Sequence, residues 1–311
     1  MKVFVAGATG VVGQPLVKQL VEAGHEVTGL TRTDERARSI RLAGATCAIC
    51  DALDAEELTS AVVKASPDVI INQLTSLPAS GDQRDPEFFT RTNELRGRGG
   101  HILIEAAQAA GVKRFITQSI AFTYAREGSW VKDETAPTVS DFEGSFGESF
   151  RVMLAHEQEL ARAEGIEGLI LRYGFFYGPG TFYAGDGATA DEVRGRKFPV
   201  VGPGTGNFSF VHVDDAAAAT VAAVTRGSVG IYNITDDEPA AIKDWLPVYA
   251  KALGAKPPRH VPAWLARLIA GKELTNAAIE MRGASNSKAK AELGWTLEHP
   301  TWRTGFSESL R

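Results

Sequence analysis

The chain has 311 residues, 44% of them hydrophobic and 23% charged, with a formal net charge of −5. That length can bury one large α/β core, or a core plus a lobe, and the acidic balance argues against nucleic acid as an obligate partner. The apolar N-terminal run is too short for a signal peptide, and the longest apolar stretch, Ala216 to Val224, is too short to span a bilayer. The expectation is a soluble, cytoplasmic protein with a small-molecule substrate and no membrane partner.

The first predicted strand, Lys2-Val3-Phe4-Val5-Ala6, runs directly into Gly7-Ala8-Thr9-Gly10-Val11-Val12-Gly13. Glycine at the first position allows a sharp turn off the strand, at the second a close approach of backbone to a pyrophosphate, and at the third tight packing of the next helix on the sheet. An amphipathic segment (Leu16, Val17, Leu20, Val21) and a second strand, Glu26–Leu30, follow. The order strand, glycine turn, helix, strand predicts a βαβ dinucleotide cradle, with phosphate held by free N–H groups and the helix dipole.

The second strand ends Thr31-Arg32-Thr33, where NAD-selective sites usually place Asp or Glu for the ribose 2′-hydroxyl. Arginine can instead pair with a 2′-phosphate. A charged hydrogen bond is worth ~1.5–3 kcal/mol, enough to favour NADP(H) over NAD(H) about tenfold. Arg32 is read as that partner and Arg36 as a second candidate, while Arg38 and Arg41 read as a solvated helix face. Asp34 is expected to cap the next helix. Cys47 and Cys50 form a C-x-x-C, but on a strand residues three apart face opposite sides, so they read as two separate core thiols rather than a redox or metal pair.

Further elements are predicted as a helix near 55–64, a strand at 68–72, a helix near 100–110, strands at 114–119 and 169–172, and a helix over about 150–163. The segments 125–147 and 179–206 read as long loops, the latter a binding element carrying Arg194 and Arg196. Asp214 and Asp215 precede an alanine-rich helix and one of them is expected to cap it. A strand at 230–234 completes the sheet from the far half. The tail from 236, with Trp245, Trp264, Trp295 and Trp302, reads as a smaller helical lobe.

The chain resembles the extended or atypical short-chain dehydrogenase/reductase superfamily, in its NAD-dependent epimerase/dehydratase group. The likeness rests on Gly7 to Gly13, on Leu171-Arg172-Tyr173-Gly174-Phe175-Phe176-Tyr177-Gly178-Pro179-Gly180, on Phe210-Val211-His212-Val213-Asp214-Asp215, and on C-terminal segments around Tyr232–Pro239 and Ser287–Trp295. It implies an α/β fold: a Rossmann-type doubly wound parallel sheet with a smaller C-terminal substrate lobe. The dinucleotide domain would span 1–172, completed by about 208–235, and the lobe 173–207 and 236–311. The implied cofactor contacts are Gly7, Thr9, Gly10, Val11, Val12, Gly13, Asp51 (to the adenine amine), Ala52, Leu74, Gln118, Tyr173, Phe175 and Phe176. Tyr177, Phe182, Arg194 and Arg196 would face substrate, and relatives often dimerise.

One hallmark departs. The group works through Tyr-x-x-x-Lys, yet none of Tyr124, Tyr173, Tyr177, Tyr183, Tyr232 and Tyr249 has Lys four residues later, and the expected positions fall near Ser149 and Met153. A positioned general acid contributes about 10²–10⁴-fold, so a substitute or an undemanding reaction is required. Tyr124 and Tyr173 are the candidate substitutes, or else walls of an aromatic pocket. Ser119 either lines the site or bonds backbone at a strand end. No metal cluster is expected. Three readings follow: an NADP(H)-dependent oxidoreductase acting on a carbonyl, alcohol or conjugated carbon; an NAD-dependent sugar-nucleotide epimerase or dehydratase; or a redox-inactive NADP-binding sensor.

Overall fold

Apolar runs alternating with amphipathic segments give a parallel sheet covered on both faces. The computed structural model describes residues 1–77, 87–139 and 144–310. Strands β1 (Lys2–Ala6), β2 (Glu26–Thr31), β3 (Thr46–Ile49), β4 (Val69–Asn72) and β5 (Arg114–Ile120) alternate with helices α1 (Gly13–Glu22), α2 (Asp34–Leu42), α3 (Ala55–Ala65), α4 (Thr90–Glu94) and α5 (Gly100–Ala109). A π-helical turn, Leu95–Gly99, joins α4 to α5. Next come β6 (Val131–Lys132), α6 (Gly144–Arg162), β7 (Glu167–Tyr173), β8 (Phe175–Tyr177), α7 (Ala188–Arg194), β9 (Val200–Val201), β10 (Asn207–Phe208) and β11 (Phe210–His212). The chain closes with α8 (Val213–Thr225), β12 (Gly230–Ile234), β13 (Ala240–Ala241), α9 (Ile242–Ala252), β14 (His260–Val261), α10 (Ala263–Glu280), β15 (Gly283–Ala284), α11 (Ser287–Leu293) and α12 (Trp302–Ser309).

Seven strands form one sheet in the order β12-β7-β5-β4-β1-β2-β3, and every pairing is parallel. Strand order reverses between β1 and β4, so the crevice outside their carboxyl ends is where such sheets bind ligands. One face packs on Leu16 and Leu20 of α1 and on Ala216, Ala219 and Ala223 of α8. The other packs on Leu58 and Val62 of α3, Leu103 and Ala107 of α5, and Leu160 of α6. A separate cluster of Tyr183, Phe210, Trp245, Tyr249, Trp302 and Phe306 supports the C-terminal lobe.

Several local expectations need correction. The helix expected from 150 starts at Gly144; the glycines that suggest a loop are overridden by packing, with Gly147, Ser149 and Phe150 all buried. Within the expected loop 125–147, β6 pairs with β15, and residues 140–143 lie outside the described residues. The stretch 179–206 contains α7, held by buried Ala190 and Val193, and β9, which pairs with β14. Trp295 is not a lobe residue: with Ala289 and Leu293 it packs in the core under the sheet. Trp264 lies exposed on α10, whereas Trp245 and Trp302 are in the lobe.

Two capping assignments also change. Thr33, not Asp34, caps α2 by accepting the Arg36 N–H, and Asp34 pairs with Arg41 at 2.9 Å. His212 caps α8 through Nδ1, which accepts the Asp214 N–H at 3.2 Å. Asp215 is instead spent on a distant loop, accepting the N–H groups of Glu298 (2.7 Å) and His299 (2.9 Å). Cys47 leans on one core and Cys50 sits in the other, so the two thiols lie on opposite faces of the sheet.

Candidate active site

The glycine turn leaves β1 with Gly7 in a left-handed conformation (φ 87°). A Cβ on Gly7 would lie 2.4 Å from the Gln73 carbonyl oxygen after β4, and one on Gly13 would lie 2.1 Å from the Gly7 carbonyl. Gly10 N–H donates to Gly7 O at 3.0 Å, and a Cβ there would sit 3.2 Å from that same oxygen. At Gly7 and Gly13 the backbone therefore closes to distances that only glycine permits, while Gly10 is a tight fit. Val12 precedes α1 and makes no side-chain cap, which keeps the helix start open to an anion. Val11 and Gly10 are exposed at the mouth, and Gln14 Nε2 donates to Thr9 O at 3.2 Å.

Arg32 and Arg36 stand exposed at the end of β2 and the start of α2, with no carboxylate paired to either among the described residues. Asp51 spends one oxygen on the Leu53 N–H (3.0 Å) and holds Arg91 at 3.3 Å with the other. Ala52 is buried beside Gly99. Gln118 Nε2 donates to the Leu74 carbonyl at 3.0 Å, joining β5 to the loop after β4.

Alternate residues of β5 turn toward α6. Thr117 Oγ1 meets His156 Nε2 at 3.1 Å, with Asn72 Nδ2 3.4 Å away, so His156 is locked into the core. Ser119 donates to Glu157 Oε1. Glu157 also takes Arg172 of β7 in a two-point grip, Nε at 3.0 Å and Nη2 at 2.5 Å. Burial works against the Arg172 charge, but the hydrogen bonds and charge of Glu157 outweigh it and hold the guanidinium above its usual pKa. The Arg172 guanidinium lies 5.2 Å from the centre of the Tyr124 ring. The Tyr124 hydroxyl donates to Asn233 Oδ1 at 2.6 Å, and burial pushes its pKa up.

The tyrosines are therefore enclosed. Tyr173 O–H sits between Gln73 Nε2 (2.9 Å) and Thr220 Oγ1 (2.6 Å), in the core under α1 and α8, and burial pushes its pKa up to about 12. A phenol so bonded reaches no proton outside the core. Tyr177 is wholly buried in the lobe core, its hydroxyl without a hydrogen bond and its pKa raised by burial and by nearby Asp236. Phe182 packs on the same cluster. Arg194 is exposed on α7 beside Asp191 (3.4 Å), and Arg196 follows in a left-handed turn (φ 55°).

Beyond the carboxyl end of β5, aromatic side chains that no sequence spacing connects pack together. Phe122, just past β5, stacks flat on Phe175 of β8 with centroids 4.2 Å apart and planes at 11°. Phe175 stacks on Phe208 (4.6 Å), while Phe122 and Phe146 both meet Phe150 of α6, at 6.3 Å and 5.2 Å. Ser149 and Met153 lie on the same helix, buried. Since Glu157 is level with Ser119 near the end of β5, Ser149 sits two helical turns, about 12 Å, further out. The nearest side-chain partner of Ser149 is Arg96 of the π-helical turn, with Nη1 3.4 Å from Ser149 Oγ. Burial pushes the Arg96 pKa down to about 10.

Among the described residues, His212, Asp214 and His299 bring donor atoms within 4.8 Å of one another. The Nδ1 of His212 is taken by the Asp214 N–H, and its Nε2 faces Gly178, where a Cβ would lie 2.6 Å away. Burial, then the neighbouring His299, push the His212 pKa down to about 4. With Nδ1 accepting that N–H, His212 serves as a helix cap.

A parallel sheet reversing between β1 and β4, with a glycine cradle at the reversal, defines a dinucleotide-binding α/β enzyme. Residues 3–235 match the model of the NAD dependent epimerase/dehydratase family, and the chain belongs to that family. A Streptomyces protein named 3-diazoavenalumate denitrifying reductase is 45% identical over 306 residues, 98% of this chain and 99% of its own length. UDP-glucose 4-epimerase of Thermotoga maritima, solved with UDP-glucose, shares the fold with a TM-score of 0.76 at 21% identity, covering 99% of this chain and 97% of its own. A human epimerase family protein solved with NADPH does so at 0.73 and 20%, covering 99% of each chain. The chain is thus an NAD(P)-dependent enzyme of that family, and the glycine distances above fit a nicotinamide dinucleotide. No helix of the described residues is long and apolar enough to cross a membrane.

Proposed function

We propose that this enzyme is an NADPH-dependent reductase of planar aromatic molecules, acting by a hydride transfer that needs no proton from the protein, as in replacement of an aromatic diazo group by hydrogen. The observation that carries this reading is the wall of Phe122, Phe146, Phe150 and Phe175 around Ser149 and Met153, the positions counted for the missing Tyr and Lys. Neither serine nor methionine there can act as the tyrosine–lysine couple, and Tyr124 and Tyr173 are tied up in the core. A reaction that demanded general acid catalysis would forgo about 10²–10⁴-fold.

Diazo loss makes no such demand. When bound, the dinucleotide supplies hydride; the hydride pair forms the new C–H bond, and dinitrogen leaves with the C–N pair. The atoms and charges balance without a protein proton. The name of the Streptomyces relative, similar over nearly its whole length, describes a reductase with that outcome. In this reading the Gly7–Gly13 turn holds the pyrophosphate, Arg32 and Arg36 take the 2′-phosphate, and Phe122, backed by Phe175, offers its free face to the substrate ring while the aromatic cluster keeps water from the reactive carbon.

The experiment is to mix the protein with NADPH and 3-diazoavenalumate, following NADPH oxidation and dinitrogen release together. One dinitrogen per NADPH, with deuterium carried from labelled NADPH onto the ring, is expected. NADPH oxidation by ketones without dinitrogen release, or tightly held NAD with interconversion of UDP-sugars and no net redox, would overturn the reading.

A further inference from the structure

Among the described residues, Arg96 is a cation without a counter-charge. Its neighbours in sequence are satisfied: Arg91 pairs with Glu94 at 2.7 Å and Asp51 at 3.3 Å, and Arg98 donates to Leu53 O at 3.0 Å. Arg96 has Ser149 Oγ at 3.4 Å as its hydrogen-bond partner, while its Nε is buried with none, and no carboxylate pairs with it among the described residues. Guanidinium carries five donors in a planar fork, so most of its capacity is unspent. Withdrawing such a charge partly from water is costly unless something pairs with it.

The location is specific. The π-helical turn Leu95–Gly99 aims Arg96 at α6, and Gly97 is pressed so close that a Cβ would sit 3.3 Å from Val152 Cγ1. Single π-turns within helices often occur at functional sites. On α6, Ser149 lies between Phe146 and Phe150, whose rings are 5.2 Å apart at 72°. The unpaired fork thus stands at the edge of the aromatic wall, and the Arg96 side chain is only half-buried. A planar acid could lay its ring against the phenylalanines and its carboxylate against Arg96.

We propose that Arg96 is the anion-binding residue of the crevice and pairs with the carboxylate of an aromatic acid. The aromatic part rests on the function proposed above, and the substrate in the name of the Streptomyces relative is itself a carboxylate. The cofactor phosphates have their own site at Gly7–Gly13, which leaves the Arg96 fork to the substrate.

Binding tests this without turnover. The whole protein, saturated with NADP⁺, is titrated calorimetrically with cinnamate and with cinnamamide. Wild type should favour the acid about tenfold or more, as a charge-assisted pair does. Arg96→Gln should abolish that preference, Arg96→Lys should retain part of it, and NADP⁺ affinity should stay within about twofold, since a tenfold change is needed to signal a lost charged bond. Arg96→Gln should melt no lower than wild type, because it removes an uncompensated charge; a structural arginine would lower the melting temperature. Persistence of the acid preference in Arg96→Gln, or an equal loss of NADP⁺ binding, would overturn the assignment. A wild type that prefers cinnamate yet releases no dinitrogen from the diazo acid would sink the diazo reading and leave Arg96 standing. One that releases dinitrogen but binds acid and amide alike would sink Arg96 alone.

Discussion

At the carboxyl ends of β1 and β4 the protein uses backbone: Gly7 and Gly13 bring main-chain atoms to separations that no Cβ allows, and Gly10 is a tight fit. At the ends of β5 and β7 it uses side chains: Phe122, Phe146, Phe150 and Phe175 form the wall, and Ser119, Glu157 and Arg172 form its buried polar floor. The first region takes its glycines from one seven-residue turn, closed against the backbone after β4. The second is assembled from the side chains of separate segments, β5, α6, β7 and β8. Backbone-built sites tolerate almost no substitution, whereas side-chain-built sites can be altered one contact at a time. The contrast can be broken by mutation.

The largest effect is expected at the floor. Glu157→Ala leaves Arg172 buried and unpaired, which costs ~3–5 kcal/mol. The denaturant midpoint should fall with an unchanged m-value. Replacing both partners with methionine should recover most of that stability, since it is the orphaned charge that destabilises. If Glu157→Ala unfolds at the wild-type midpoint, the floor is not built on this pair. Next is Gly13→Ala, whose new Cβ must displace the Gly7 carbonyl. Overpacking of ~1–3 kcal/mol should weaken NADPH binding by up to about 100-fold while far-UV dichroism stays native. Wild-type NADPH affinity in that variant would remove the claim that the cradle depends on backbone proximity.

These two regions were unequally legible. The cradle shows in a seven-residue pattern, because close backbone approach forces glycine at fixed offsets, and the parallel sheet follows from alternating strands and helices. The want of a Tyr-x-x-x-Lys pattern is likewise a local fact. Arg96 carries no local signal: it sits among Arg91, Arg98 and other charges, and only the fold reveals that Arg91 has carboxylate partners while Arg96, among the described residues, has none. Glu157 and Arg172 are fifteen residues apart on different elements, so their pairing waits on the docking of α6 against β7. The caps misled for a related reason. Asp34 and Asp214 have the right residue type, but Thr33 and His212 hold the position whose backbone is extended (φ −135° and −69°, with ψ near 148° and 144°), and the cap follows backbone conformation.

A smaller effect separates cofactor choice from the cradle. Arg32→Ala should raise the Kd for NADPH about tenfold and leave that for NADH nearly unchanged, because only the former carries the 2′-phosphate. Equal losses for both cofactors would mean that Arg32 supports the β2–α2 turn rather than reading the phosphate. Combined with Gly13→Ala, it distinguishes a general loss of binding from a selective one.

The smallest effect tests the wall. Phe122 stacks on Phe175 with nearly parallel rings, a contact worth ~0.5–1.5 kcal/mol beyond its buried area. Phe122→Leu keeps most of the apolar volume but removes the flat face. A ring-bearing ligand should therefore bind several-fold more weakly, whether it is cinnamate or cinnamamide, because stacking does not sense charge. Arg96→Gln should weaken only the acid. The two substitutions act on different parts of one ligand, so in the double variant their effects on cinnamate should add, unless loss of the ring face also misplaces the carboxylate. Calorimetric titration of the four proteins measures that coupling. Additivity would mean wall and cation recognise independently; a shortfall would mean that stacking positions the acid for Arg96, and that the crevice acts as a unit as the cradle does.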